Sequence, residues 1–280
     1  MQPSAHASYS SIDSWMQCGE KYRLTKVEGV KEDPAWWSVG GSAVHTATEW
    51  WDIGAHQELS NHDLFVQAFE EERDRQAHFT ETLPITWRSS RNQDDTWWLK
   101  NGPAMVQAWV EWRERTGWMI EDITTPEGDV IPGVEVPFYV SFGEGTPPLK
   151  GYIDRVFVTP AGERVIVDLK TGARRPAADM QLGYYKVGLE MHYGIESDLG
   201  GYWMARKADK PNEVMEVVGL GRYTKEFVSR FVHGFHKARE TGLYLPHVTS
   251  FCKTCGVASH CWAAAVLGSM TPSRLRIRGW

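Results

Sequence analysis

The spacing of hydrophobic residues changes character about halfway along the chain. In the first 120 residues apolar positions recur at helical intervals. Ile12, Trp15 and Met16 form a stripe that predicts a helix over 8–24, with Ser10 or Ser11 as its N-cap. Val44, Ala47 and Trp51 predict a second helix at about 40–56, and a third starts near Asn61 and runs through the charged stretch Glu70 to Arg75. Residues 80–95, with Pro84, Arg88 and Arg91, read as a loop, either a linker or a lid. A helical pattern returns over 95–116 through Met105, Trp109 and Trp112, and Gly102-Pro103 predicts a break or kink in it.

Beyond residue 130 the period falls to two. Val134, Val136, Phe138, Val140 and Phe142 alternate with polar neighbours, so 133–142 is expected to be a strand, with Glu135 on the face opposite its apolar residues. A hairpin follows at 149–170, turning at Pro160-Ala161-Gly162. That tripeptide suits a three-residue loop with glycine in the left-handed position. If Thr159 closes the loop against Glu163, the register is symmetric about Ala161 and Asp154 stands opposite Asp168, with Lys170 on the same face as Asp168. Two facing carboxylates repel unless a cation sits between them, and a divalent metal is the obvious candidate. A helix over 177–193, strands near 199–206 and 213–219, and a helix at about 223–241 complete an α/β body.

Composition narrows the setting. A chain of 280 residues, 42% hydrophobic, can bury a substantial core. No apolar run is long enough to span a bilayer, and the opening Met1 to His6 lacks a charged-then-apolar leader pattern. The expectation is a cytoplasmic protein with no membrane association. A net charge of −6 argues against a nonspecific nucleic-acid coat but leaves room for local basic residues: Arg155, Arg174, Arg175, Lys186, Arg206, Lys207 and Lys210. Several follow Lys170 directly, and Arg174, Arg175 and Lys186 are the candidate DNA contacts. Of the 14 tryptophans, the pairs Trp36-Trp37, Trp50-Trp51 and Trp97-Trp98 suit core packing or, if on loops, stacking on unpaired bases. Four cysteines in so long a chain do not make a disulfide scaffold. Cys252, Cys255 and Cys261 have C-x2-C-x5-C spacing, which suits a metal or cluster, and Cys18 is the only cysteine left as a fourth ligand.

The order His45, Glu135, Gly151-Tyr152-Ile153-Asp154, Asp168-Leu169-Lys170 and Gln181…Tyr185 resembles the RecB-like branch of the PD-(D/E)XK nuclease superfamily. The opening Tyr9-Ser-Ser-Ile-Asp-Ser-Trp-Met-Gln-Cys18-Gly-Glu-Lys-Tyr-Arg23 also looks like that family's N-terminal signature. The resemblance implies a restriction-endonuclease-like core, a central mixed β-sheet flanked by helices. It implies one domain over 1–280: a helical part at about 1–120, a nuclease core at about 130–220, and a C-terminal helix with the cysteine segment at about 221–280. His45, Asp154 and Asp168 are the implied ligands of Mg²⁺ or Mn²⁺, hard cations that prefer oxygen. Glu135 is implied to coordinate directly or through water, Lys170 to act on the water or the phosphate, and Gln181 and Tyr185 to support the lysine or position DNA.

One cysteine near the N-terminus and three near the C-terminus resemble the iron–sulfur subset of that family. A [4Fe–4S] cluster on Cys18, Cys252, Cys255 and Cys261 would then join the chain ends. Zinc on four cysteines, or with His260 replacing one, is the alternative. The implied activity is exonucleolytic hydrolysis of DNA ends or single strands in recombination, repair or phage DNA processing. The alternatives are a structure-specific endonuclease and a noncatalytic iron–sulfur DNA-binding adaptor. No G-x-x-x-x-G-K-[ST] motif is present, so unwinding would fall to a helicase or recombination partner.

Overall fold

The computed structural model describes residues 6–78, 85, 87–90, 92–207, 210 and 214–264. Part of the expected loop at 80–95, and the sequence Arg274-Leu-Arg-Ile-Arg278 near the end, therefore lie outside the described residues. Helix α1 covers Tyr9–Gln17 and is capped one turn earlier than expected, by Ser8, whose Oγ accepts from Ser11 N at 3.1 Å. It does not continue to residue 24. Cys18 is extended, and the chain restarts as α2 (Gly19–Tyr22) and a π-helical turn at Arg23–Val27. The break has a cause: Gly19 lies against a distant strand of backbone, with its N–H on Leu245 O at 2.9 Å and room for no side chain.

Helices α3 (Trp36–Asp52), α4 (Asn61–His78) and α5 (Asp95–Thr116) form one layer. The break expected at Gly102-Pro103 is absent. The helix keeps Pro103 inside because Trp98, Met105, Val106 and Trp109 bury on both sides of it. Gly102 also meets the ring of Phe65 directly. The tryptophan pairs lie on these helices rather than on loops. Trp98 is fully buried, and Trp36 stacks on Trp87 with centroids 4.2 Å apart. They are packing residues.

Three short strands that the periodicity did not reveal come next, β1 (Met119–Ile120), β2 (Asp122–Thr124) and β3 (Val130–Pro132), each too brief to show a period. Then follow β4 (Val134–Val140), β5 (Leu149–Val158), β6 (Arg164–Lys170), α6 (Met180–Tyr193), β7 (Leu199–Met204), β8 (Met215–Gly219) and α7 (Lys225–Glu240). The main sheet has six strands in the order β1-β5-β6-β7-β8, with β4 also paired to β5. It is mixed: β6 and β7 run parallel, joined through α6, and the other pairs are antiparallel.

The sheet carries a core on each face. Ile166, Tyr202 and Met204 pack under α1, α6 and α7; Val165, Val167, Leu169 and Trp203 pack under α3, α4 and α5. The alternation is regular along β6 and β7 but slips along β5. Leu149 and Ile153 face the first core, and so does Val156, an odd number of residues further on, while Phe157 faces the second. The side chains thus change face at Asp154–Arg155 while the β4–β5 register stays unbroken, Val134 opposite Arg155 and Val136 opposite Ile153. Opposite this point β4 carries Glu135, which has φ 47°, a left-handed value rare for a residue with a side chain.

Candidate metal centre

The β5–β6 turn sets the site's register. Thr159 N donates to Glu163 O at 2.9 Å, Gly162 N donates to Thr159 O at 2.8 Å, and Gly162 has φ 81°. The ladder then runs from Val158–Arg164 to Arg155–Val167 and stops one step short of Asp154 and Asp168, whose carboxylates lie close enough for the Asp154 charge to act on Asp168. There the backbone pairing gives way to a side chain: Leu169 N donates to Asp154 Oδ2 at 3.1 Å. Lys170 lies on the same face as Asp168, with Nζ 2.7 Å from its Oδ2.

Helix α6 completes a chain of contacts. Lys170 Nζ donates to Gln181 Oε1 at 2.8 Å, Gln181 Nε2 to Tyr185 Oη at 2.8 Å, and Tyr185 Oη to Asp154 Oδ1 at 3.2 Å. Residues i and i+4 of one helix thus link the lysine to the opposite carboxylate. From the other side α3 brings His45, whose Nδ1 is 3.4 Å from Asp154 Oδ2. Helix α3 approaches closely because it carries Gly40 and Gly41 in its core-facing turn; a Cβ on Gly41 would sit 3.0 Å from Thr171 Oγ1.

His45, Glu135 and Asp154 offer ligand atoms all within 4.8 Å of one another. Asp168 is beside this trio, not in it. The expected set of His45, Asp154 and Asp168 is therefore gathered differently, with Glu135 the third member and Asp168 adjacent. The electrostatics call for a cation. Asp168 is fully buried and neither oxygen accepts a well-formed hydrogen bond. Burial, then the Asp154 charge, pushes its carboxyl far above the ordinary range. Burial and Asp154 push Glu135 up to about 7. Burial holds the His45 imidazole below its usual value, which favours the neutral form that binds metals. These residues fit a divalent ion: oxygen donors, one imidazole, and more carboxylates than the cations Lys170 and Arg155 beside them.

Other expected site residues fare differently. Arg155 is only 1% exposed, so it is no phosphate contact. Arg175 is ion-paired to Asp179 and Glu216, Lys186 to Glu190 and Asp198, and Arg206 bonds to Thr171 O and Gln93. Arg174, four residues past Lys170, is exposed. Sequence reasoning passed over Glu49, whose carboxylate feels Asp154 and adds to the field on Glu135. Its i, i+4 spacing from His45 was the available signal. Tyr9 and Asp13 of α1 were also missed as neighbours; Asp168 acts on the first and Lys170 on the second.

The four cysteines carry free, half-buried thiols. Cys18 meets the C-terminal segment where His247 N donates to its Sγ at 3.4 Å. Cys255 and Cys261 are pushed up mainly by burial, with Cys18 adding to both.

The chain is 29% identical over 269 residues to the Gene 69 protein of Mycobacterium phage D29, covering 91% of this chain and 95% of that one. It is 26% identical over 274 residues to the Gene 69 protein of Mycobacterium phage L5, covering 85% and 89% respectively. A solved structure titled "Crystal structure of SSO0001" aligns with a TM-score of 0.37 at 12% identity, over 91% of this chain and 95% of that one. Residues 6–262 match the model of the PD-(D/E)XK nuclease superfamily, and the chain belongs to that superfamily.

Proposed function

We propose that this chain is a divalent-metal-dependent DNA nuclease of the RecB-like branch, an exonuclease that digests DNA ends or single strands in recombination, repair or phage DNA processing. The observation that carries the reading is the buried Asp168 carboxylate, without a hydrogen-bond donor of good geometry, within reach of the Asp154 charge and beside Lys170. A stability-driven sheet would not keep such a group.

His45, Glu135 and Asp154 would hold Mg²⁺ or Mn²⁺, with Asp168 at its flank. When bound, such an ion polarises the scissile phosphate and lowers the pKa of water. Lys170 is aimed by Gln181, so its ammonium orients the attacking water or neutralises charge developing on the phosphate. Tyr185 locks Gln181 and Asp154 in place by hydrogen bonds at 2.8 and 3.2 Å. Arg174, exposed just past β6, would be a cation for an incoming phosphate; Arg175 and Lys186 would have to leave their carboxylates to join it.

The cysteine corner is read as a [4Fe–4S] site. Among the described residues the thiols do not gather three within 4.8 Å. The support for the cluster is the C-x2-C-x5-C spacing together with Cys18, whose Sγ accepts from His247 N at 3.4 Å; zinc on the same thiols is the alternative.

The test is cleavage of end-labelled single- and double-stranded DNA with Mg²⁺ or Mn²⁺, set against Asp168→Ala and Lys170→Ala. Each substitution should lower the rate at least about 10²-fold, EDTA should abolish it, and closed circular DNA should survive. Equal, metal-independent behaviour of all three proteins would overturn the nuclease reading. Cutting of closed circles would make it an endonuclease.

A further inference from the structure

The residue after Asp154 contributes nothing to the chemistry above, yet it is among the largest fully buried side chains of the protein. Arg155 emerges at the point where β5 changes phase, and its guanidinium reaches in four directions. Nε donates to Asp52 Oδ2 at 2.7 Å, and Asp52 is itself fully enclosed at the C-terminal end of α3. Nη1 donates to the backbone carbonyl of Asp154 at 2.7 Å and stands 3.7 Å from Glu135 Oε1. Nη2 donates to Thr48 Oγ1 at 3.3 Å, and the Thr48 hydroxyl in turn donates to the carbonyl of His45 at 2.9 Å. One planar group therefore touches all three members of the metal trio: the carbonyl of Asp154, the carboxylate of Glu135 and, through Thr48, the carbonyl of His45.

We infer that Arg155 is a positioning residue that sets the separation between the helix ligand His45 and the sheet ligands Glu135 and Asp154. The inference rests on the metal-centre reading above. A buried ion pair is weak as a source of stability, because desolvating both charges offsets most of their attraction. Arginine is suited to the task because its donors sit in a rigid fork that fixes distance and direction at once; a lysine ammonium is a single point. Asp52 supplies the fixed end of the fork, held from α5 by Trp109 Nε1 at 3.2 Å. No member of this relay meets the reacting phosphate. Its effect passes through the three ligands, as hydrogen-bonded partners of metal ligands do elsewhere.

The test is Mn²⁺ binding by isothermal titration calorimetry, with circular dichroism of the same samples, on the wild type, Arg155→Lys and Thr48→Val. Arg155→Lys should weaken Mn²⁺ about 10- to 100-fold. Thr48→Val keeps size and removes only the link to His45, so it should fold normally and weaken binding by a smaller, several-fold factor. A variant that melts earlier but binds Mn²⁺ with the wild-type Kd would show a purely structural role and overturn the inference. So would wild-type affinity in Thr48→Val, even if Arg155→Lys failed to fold. If the wild type neither bound Mn²⁺ nor cleaved DNA, the metal-centre reading would fall first, and the inference with it.

Discussion

Glu135 is held in a conformation that an L-residue avoids, with φ 47°. Left-handed backbone costs a side-chain-bearing residue roughly 1–2 kcal/mol, and such strain persists where the surroundings over-determine it. The chain just before it is tied down by two hydrogen bonds: Gly133 N donates to Glu121 O at 2.7 Å, and Val156 N donates to Gly133 O at 2.7 Å. The outcome is a carboxylate turned toward His45 and Asp154. In a regular strand, Ala is favoured over Gly. At this position Glu135→Gly should instead be more stable than Glu135→Ala by about 1 kcal/mol, measured by urea denaturation of the metal-free protein. The reverse order would mean that the backbone is relaxed. Nothing in Val134-Glu135-Val136 announces a positive φ, since no glycine or asparagine marks it. Alternation placed Glu135 on the correct side of its strand, but the kink that aims it was invisible. Asp154, Asp168 and Lys170 were legible for the opposite reason: the turn Pro160-Ala161-Gly162 fixes their register through local chemistry alone.

Among the elements, α3 matters most to the site, since it alone brings a ligand from the helical layer. Its position depends on Gly40, where a Cβ would lie 1.9 Å from the Trp98 ring of α5. Helix propensity favours Gly40→Ala by up to about 1 kcal/mol; overpacking against a fully buried indole opposes it by typically 1–3 kcal/mol. The steric effect should win. Gly40→Ala should lose stability in urea and bind Mn²⁺ more weakly than wild type as α3 is pushed outward. A stabilised protein with unchanged affinity would show that Trp98 moves aside freely. The existence of α3, α5 and α6 was readable from their apolar stripes, and that of α4 from its charged run. Their irregularities were not. Pro103 looks like a break in any local reading, and only the packing of Trp98, Met105 and Trp109 on either side carries the helix through it. Cys18 ends α1 for the same kind of reason, since the contact of Gly19 with Leu245 joins residues far apart in sequence.

Across the whole molecule, α1 and Gly19 meet the segment that follows α7. Trp15 Nε1 donates to Leu243 O at 3.1 Å, Gly19 N to Leu245 O at 2.9 Å and His247 N to Cys18 Sγ at 3.4 Å. A cluster on Cys18, Cys252, Cys255 and Cys261 would add covalent-strength ties to these few hydrogen bonds. Anaerobically purified protein should then be brown, and Cys255→Ala should lose both the colour and several degrees of Tm. A colourless wild type with stoichiometric zinc would replace the cluster with a zinc site. The spacing of the last three cysteines was enough to nominate a metal, but the choice between iron–sulfur and zinc depends on how far apart the folded chain holds the thiols. No described helix is long and apolar enough to cross a membrane.

The phase slip in β5 has a consequence for how the protein ages and fails. The two cores press on opposite faces of one sheet, and the candidate site draws Tyr185 and Gln181 from one layer and His45 from the other. The slip is the seam where these layers must agree. Damage that loosened either layer would be registered at that seam while most of the hydrogen-bonded sheet still stood. Loss of metal would then precede loss of fold, making the site a sentinel for the integrity of the whole.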